Sequence, residues 1–417
     1  MYAENDEKKI IWERLSKASE ENSLFKIWGP RIVQIEITNR CNLTCNMCQR
    51  WQWSIQSHTL PLKRLTSLCS ELKEMGTETI IFSGGEPLLR NDLQDIINKL
   101  SKFKIKLCIF TNGTFMPESL IKTLINNEVS VCFSLDGSTP HTYAKIRGTR
   151  VHFKKVIKNI ESYVKVRDSQ INGQEIVTGI NFTLQKLNAH EILSIAQLAD
   201  KLGVDYLRYE LVHGQPNLGP DKEELIIIQE QFQRLKEKRW NMQIYISSLI
   251  KGILVGEAET EDIKSGYPAL GLFSKNQIQC LKCHQYSLIT ADGRVFPCTA
   301  AYFDNMPLER FEHLREKYVM GNVLESKFSK IWYGNRYEQF RKRTNPIDFQ
   351  RSPDLKMICG QCEHFYQFKL FQEMLTEYRN TESTEKLLET TNIFYEIERR
   401  ENELNFKITP KKVGEVK

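Results

Sequence analysis

The 417-residue sequence has no apolar run as long as a membrane span. Its first residues, Met-Tyr-Ala-Glu-Asn-Asp-Glu-Lys-Lys, put acidic side chains where a secretory signal carries basic ones, and no apolar stretch follows. It has no concentrated basic stripe either. The formal net charge is +6, but Lys and Glu interleave along the chain, which gives little support to a nucleic-acid partner. An even, spread-out set of cysteines is also missing. The 11 that are present are odd in number and mostly gathered in clusters, so a disulfide scaffold is the poorer account and metal binding the better one. These absences lead to the expectation of a cytoplasmic protein with no membrane partner. A hydrophobic content of 41% and a charged content of 26% suit a globular chain of two or three domains.

The densest feature is Cys41-Asn-Leu-Thr-Cys45-Asn-Met-Cys48. Three thiols are one too few for a structural zinc, which takes four protein ligands. Three thiolates suit an iron–sulfur cluster with one iron left open, a place to bind and activate a small molecule. The run Arg31-Ile-Val-Gln-Ile-Glu-Ile37 before the triad alternates like a strand, so the triad is expected on the loop that leaves it.

Downstream, strand-like and helix-like segments alternate. Strands are expected over Glu78–Phe82, Ile105–Phe110, Ser130–Leu135, Ile176–Leu184 and Tyr206–Leu211. Helices are expected over Pro61–Met75, Asp92–Phe103, Pro117–Asn127, Phe153–Arg167 and Ala189–Leu202. This is the pattern of a parallel sheet with crossover helices, whose ligands bind at the C-terminal strand ends. Distinctive polar segments fall at those ends: Ser83-Gly84-Gly85-Glu86-Pro87, Thr111-Asn112-Gly113 and Ser134-Leu135-Asp136-Gly137, with Arg147-Gly148 next along the chain. Two glycines allow close backbone approach. Asn-Gly and Asp-Gly are also ordinary turn formers.

The triad and these segments, in this order, resemble the radical S-adenosylmethionine (SAM) superfamily. The resemblance implies a partial (β/α)6 barrel over residues 31–212. It implies a [4Fe–4S] cluster on Cys41, Cys45 and Cys48, with SAM at its open iron. It places Met47, Gly84, Gly85, Glu86, Asn112, Ser134, Asp136 and Arg147 around SAM, with Glu86 toward the methionine amino group and Arg147 toward the SAM carboxylate or the substrate. Asn181, Thr183, Tyr209 and Glu210 are lesser candidates. Trp51, Trp53 and His58 are candidates for a substrate mouth, with local packing as the plainer reading. Cys69, Cys108 and Cys132 read as small buried hydrophobes.

Residues 1–30 are expected as an N-terminal helical extension, with a helix near 6–21. Residues 213–275 are expected as a helical bridge containing His213, a helix over Asp221–Lys238 and an amphipathic stretch near 242–258. A second constellation follows: Cys280, Cys283, Cys298, Cys359 and Cys362. Asp292-Gly293 between two apolar runs signals a hairpin that returns Cys298 toward Cys280 and Cys283. With Gly321-Asn…Ile-Trp332 and the late Cys359-Gly-Gln-Cys362, residues 276–365 resemble the SPASM/twitch extension of radical SAM enzymes, a small α+β domain. The resemblance implies an auxiliary [4Fe–4S] cluster on Cys280, Cys298, Cys359 and Cys362, with Cys283 spare. A triad of Cys280, Cys283 and Cys298 with an open iron is the alternative, and a zinc site a further one. Residues 366–417 read as helices and a tail, with an apolar stripe at Phe365, Phe368, Phe371 and Leu375.

The implied activity is reductive cleavage of SAM to a 5′-deoxyadenosyl radical that takes a hydrogen atom from a substrate. Oxidation or epimerisation follows, with the auxiliary cluster as electron acceptor in the first case and a donor such as Cys283 in the second. The expected substrate is a small polar metabolite of sugar, cyclitol or nucleoside type, and the electron donor a flavodoxin or ferredoxin. A ribosomally made peptide is the alternative substrate. About 30 residues ahead of the barrel are too few for the leader-binding domain common in peptide-modifying relatives. A non-enzymatic metal-binding protein is the rival from another class.

Overall fold

The computed structural model describes residues 29–48, 57–148, 151–170, 176–212, 215, 217–254, 280, 282–302, 316–344, 354–355 and 359. The expectations placed on residues 6–21, Trp51, Trp53, His213, Cys362 and the helices from Phe365 onward lie outside these.

Among the described residues ten strands form a single sheet. Strands β1 (Ile32–Thr38), β2 (Thr79–Gly84), β3 (Lys106–Thr111), β4 (Ser130–Ser134), β5 (Thr178–Leu184), β6 (Tyr206–Leu211) and β7 (Gln243–Ile246) are neighbours in chain order, and each pair is parallel. The crossovers carry helices α1 (Leu62–Glu74), α2 (Leu93–Leu100), α3 (Glu118–Asn126), α4 (Pro140–Arg147), α5 (Val151–Ser169), α6 (Ile192–Leu202) and α7 (Lys222–Lys236). Helix α8 (Ser248–Leu254) follows β7. In α1 the buried residues Leu65, Leu68, Cys69 and Leu72 fall on one face, and that face meets the sheet. Strand alternation sends Val33, Ile35, Phe82, Ile109, Phe133, Ile180 and Leu207 into this helix–sheet core. The opposite side of the same strands carries Gln34, Glu36, Ser83, Cys108, Cys132, Ser134, Asn181 and Arg208, a polar inner face.

The expected α/β architecture holds, and its edges differ from the reading. The seventh strand, β7, lies inside the stretch expected as a helical bridge. Its four residues, Gln-Ile-Tyr-Ile, alternate exposed and buried, a pattern too short to stand out from the helical segments around it. Helix α4 was not expected at all. Its signals are local: Thr139 accepts from the Thr142 N–H at 3.2 Å, Pro140 opens the first turn, and Gly148 closes the last at φ +90°. At the other edge, β8 (Tyr286–Ile289) pairs parallel with β1. It turns through Asp292-Gly293 into antiparallel β9 (Arg294–Phe296), which pairs with β10 (Gly321–Asn322). The expected hairpin is therefore present, and it extends the barrel sheet directly. Among the described residues no helix is long and apolar enough to cross a membrane.

Candidate functional site

The loop after β1 is fastened on every side. Gly85 N–H donates to Thr38 O at 2.8 Å and Glu86 N–H to Arg40 O at 2.7 Å. A Cβ at Gly85 would fall on Arg40 O, and at Gly84, where φ is +125°, on Thr38 O. The close approach that these glycines permit is thus to the cysteine loop itself. Behind the loop, buried Arg90 donates to Ile37 O at 2.8 Å and Leu60 O at 2.9 Å while pairing with Asp92. His58 N–H donates to Asn39 Oδ1 at 2.8 Å, which gives His58 a backbone role in the loop.

Glu86 is 1% exposed. Its carboxylate accepts from Thr111 Oγ1 at 2.7 Å, Asn112 N–H at 2.6 Å and Leu88 N–H at 3.0 Å. Burial pushes its carboxyl above the usual range, against the pull of these donors. It ties the end of β2 to the end of β3. Asn112 in turn donates to Asn42 Oδ1 at 3.0 Å and stands 4.0 Å from Cys41 Sγ, with its Oδ1 taken by Thr114. Asn42 closes the ring by donating to Thr114 Oγ1 at 2.9 Å.

The far side of the loop meets α4 and β5. Asn46 N–H donates to Ile146 O at 2.9 Å, and its side chain pairs with Gln185, donating at 3.0 Å and accepting at 3.3 Å. Arg147 points its Nη1 at Cys45 Sγ, 3.5 Å away, and its Nη2 at Asp136. Asp136 is fully buried and also accepts the Thr183 N–H at 2.7 Å. One end of the strands thus gathers Cys41, Cys45, Cys48, Gly84, Gly85, Glu86, Asn112, Asp136 and Arg147. Ser134 and Met47 are half-buried beside them. Tyr209 does not join them: its ring packs on Phe182 and Phe232 in the helix layer, and its hydroxyl donates to Ile192 O at 2.6 Å. Asn42, Asn46, Thr114 and Gln185 were missed. Only their nearness to the motifs could have pointed to three of them, and nothing local marks Gln185.

The inner face of the sheet continues into the C-terminal segment. Tyr286 on β8 donates to Gln34 Oε1 at 2.6 Å, and Gln34 donates to Ser83 Oγ at 2.9 Å. Helix α10 (Thr299–Tyr302) begins immediately after Cys298, and Tyr302 donates to the buried Glu36 at 3.4 Å. Further round the same face, Arg208 pairs with Glu210 at 3.7 Å and lies over the Tyr245 ring.

Around the second constellation, Cys298 Sγ accepts the Ala301 N–H at 3.3 Å. Cys283 is fully buried on α9 (Lys282–Gln285), 3.4 Å from Thr344 Oγ1 and 3.7 Å from the Cys280 carbonyl. Burial pushes its thiol up, and its S–H toward Cys280 lowers the latter. Cys359 is likewise buried. This lobe is held by Arg341 of α11 (Asn335–Arg343), whose guanidinium lies 4.3 Å from the centre of the Trp332 ring and 4.7 Å from that of Tyr337. Arg341 also donates to Cys283 O at 3.2 Å and Trp332 O at 3.0 Å. Trp332→Ala should destabilise the lobe by about 3–5 kcal/mol, a large buried ring plus its cation–π contact. Urea unfolding followed by circular dichroism checks this, and a loss below about 1 kcal/mol would contradict it.

Among the described residues no three Cys, His, Asp or Glu side chains are gathered tightly enough for one metal ion. The fit to a cluster rests on the donor set: three thiols on one pinned loop, two of which face N–H donors. Cys41 Sγ has Leu43 N at 3.5 Å, and Cys45 Sγ has Arg147.

A family model for the radical SAM superfamily matches residues 35–199, and one for SPASM, an iron–sulfur cluster-binding domain, matches residues 280–363. Among curated proteins the chain is similar to the AdoMet-dependent heme synthase of Methanosarcina barkeri. The two are 26% identical over 349 residues, covering 81% of this chain and 89% of that protein. The PqqA peptide cyclase of Rhizobium meliloti is 24% identical over 357 residues, covering 83% of each. Among solved structures, Streptococcus suis SuiB bound to its precursor peptide SuiA superposes with a TM-score of 0.58. At 16% identity it covers 86% of this chain and 76% of that one, a likeness of fold.

Proposed function

We propose that this chain, a member of the radical SAM superfamily with a SPASM domain, abstracts a hydrogen atom from a small polar metabolite of sugar, cyclitol or nucleoside type and completes a two-electron oxidation. Its cofactors are SAM, a SAM-binding [4Fe–4S] cluster and auxiliary iron–sulfur chemistry in the SPASM domain. In this reading Cys41, Cys45 and Cys48 hold the first cluster, and Cys280, Cys298, Cys359 and Cys362 the second. Bound there, the first supplies the electron that splits SAM into methionine and a 5′-deoxyadenosyl radical, and the second a place for the electron left on the substrate.

The observation that carries the reading is the wall shared by barrel and C-terminal segment. Tyr302, four residues after Cys298, touches Glu36 on the inner face, and Tyr286 touches Gln34. Cys298 therefore lies on the segment that borders this inner face, where a bound cluster would supply an electron acceptor. Gln34, Ser83, Glu36, Arg208 and Glu210 give the chamber within the barrel hydrogen-bonding groups suited to a hydroxylated substrate. Cys283 is turned into Thr344 and Cys280, which favours oxidation over hydrogen return by that thiol. The pinned loop, Glu86 and Asn112 hold the first site rigid. A flavodoxin or ferredoxin in the cytoplasm would supply the electron.

A peptide substrate is the second reading, supported by the likeness to a PqqA peptide cyclase and to SuiB with its precursor peptide. The test is 5′-deoxyadenosine release from SAM under dithionite, with perdeuterated cyclitols or with labelled peptides. Deuterium passing from a cyclitol into 5′-deoxyadenosine supports the first reading and from a peptide the second. No release from protein with a full iron complement would sink both.

A further inference from the structure

We propose that Arg208 is an oxyanion anchor on the inner wall of the barrel, so that the substrate carries a carboxylate or a phosphate besides its hydroxyl groups. The inference deepens the small-metabolite reading and rests on it.

Strand parity puts Arg208 on the chamber side of β6, between Leu207 and Tyr209, which face the helices. Its side chain keeps 44% of its surface accessible, although β6 lies inside the sheet between β5 and β7. That accessibility opens into the chamber. Burial raises the thiols of Cys108 on β3 and Cys132 on β4 and the hydroxyl of Tyr206, and the nearby Arg208 charge pulls against it in all three. The guanidinium therefore acts across the wall formed by β3, β4 and β6.

This cation is supported from below and beside. Register sets Cys132, Gly179 and Tyr206 in one row across β4, β5 and β6, one step farther than Arg208 from the strand ends that meet the cysteine loop. A Cβ at Gly179 would fall 2.0, 2.2 and 2.3 Å from atoms of the Tyr206 ring, so only glycine lets that ring lie across β5. Ring and thiol make an apolar floor. Tyr206 meets Tyr245 of β7 edge-on at 5.8 Å, and Arg208 lies over Tyr245, 5.6 Å from the ring centre. A guanidinium on an aromatic face is held in place and only weakly hydrated. Its planar fork matches a carboxylate or phosphate with two parallel bonds, and low dielectric strengthens both. Arg208 Nη1 is 3.7 Å from Glu210 Oε1, longer than a charge-assisted hydrogen bond. Glu210 thus orients the guanidinium and, being an anion, weakens its hold on a ligand oxyanion. Arg208 stands three residues, about 10 Å, before the end of β6. An oxyanion held there leaves the rest of a small substrate between Arg208 and the strand ends.

The test is calorimetry on the full chain, anaerobically reconstituted and loaded with SAM. The probes are matched pairs: glucose and glucuronate, myo-inositol and its 1-phosphate, uridine and uridine 5′-monophosphate. At least one charged member should bind about tenfold or more tightly than its neutral twin, the worth of one charge-assisted bond. Whether glucuronate or a phosphate ester leads tells carboxylate from phosphate. Arg208→Gln should close the gap, Arg208→Lys keep part of it and Glu210→Gln widen it, all with SAM affinity within about threefold of wild type. If Arg208→Gln does not retain iron, Glu210→Gln decides: a gap that stays or shrinks there overturns the inference. Equal affinities within every pair in wild type, or a gap that survives Arg208→Gln, overturn it as well. Wild type that holds full iron and SAM yet releases no 5′-deoxyadenosine under dithionite would instead overturn the reading beneath it.

Discussion

Cys45→Ala should remove about four irons and cut 5′-deoxyadenosine release more than about a hundredfold. Cys45 is 7% exposed, the most buried thiol of its triad, and the one that Arg147 addresses. Alanine there leaves two thiolates for a cluster that needs three protein ligands, and leaves the guanidinium facing a cavity. Even partners outside the ligand set cost about 10–100-fold when removed from metal sites, so loss of a ligand should exceed that range. Asn42→Ala, which removes one hydrogen bond to Thr114 and one from Asn112, should cost far less. Iron analysis and chromatography of the reaction mixture measure both. Cys45→Ala protein with full iron and near-normal release would place the cluster elsewhere.

Gly85→Ala should be among the most damaging one-carbon changes at the described glycines. Its Cβ would overlap Arg40 O and lie 2.5 Å from the Arg40 carbonyl carbon and 2.6 Å from Asn39 O, all of them backbone. No rotamer relieves a clash with backbone. The loop must move away and lose the hydrogen bonds from Gly85 to Thr38 and from Glu86 to Arg40. Overpacking and two lost bonds together come to about 3–5 kcal/mol. Gly76→Ala is the matched control. Gly76, unlike Gly85, has a positive φ, +82°, but nothing stands within 4 Å of its added carbon, so only about 1–2 kcal/mol of backbone strain applies. Denaturant midpoints and iron uptake should both separate the two variants. Equal midpoints would mean that the loop does not rest on Gly85.

The contrast shows what was readable in the chain. The parallel strands are legible because Ile32–Thr38, Ser130–Ser134 and Thr178–Leu184 are short β-rich runs with helical stretches between them. The cysteine triad is legible because its spacing is local. The use made of Gly84 and Gly85 is not: a glycine pair announces a close approach without naming what approaches. Arg147 lies 102 positions from Cys45 and Tyr302 lies 266 from Glu36, so tertiary packing alone brings each pair together. Tyr209 failed as a site candidate through strand parity, since one residue's shift exchanges the chamber face for the helix face. β8 was foreseen as half of a hairpin, but its pairing with β1 depends on an open sheet edge that no local pattern reveals.

The most direct test of the central claim is an iron and sulfide count on anaerobically reconstituted protein, read with the EPR spectrum before and after SAM addition. The account predicts about eight irons and eight sulfides per chain, in two signals of which SAM alters one. About four irons, with zinc on the C-terminal cysteines, would remove the electron acceptor and with it the proposed oxidation. Eight irons with neither signal altered by SAM would contradict the account at its base.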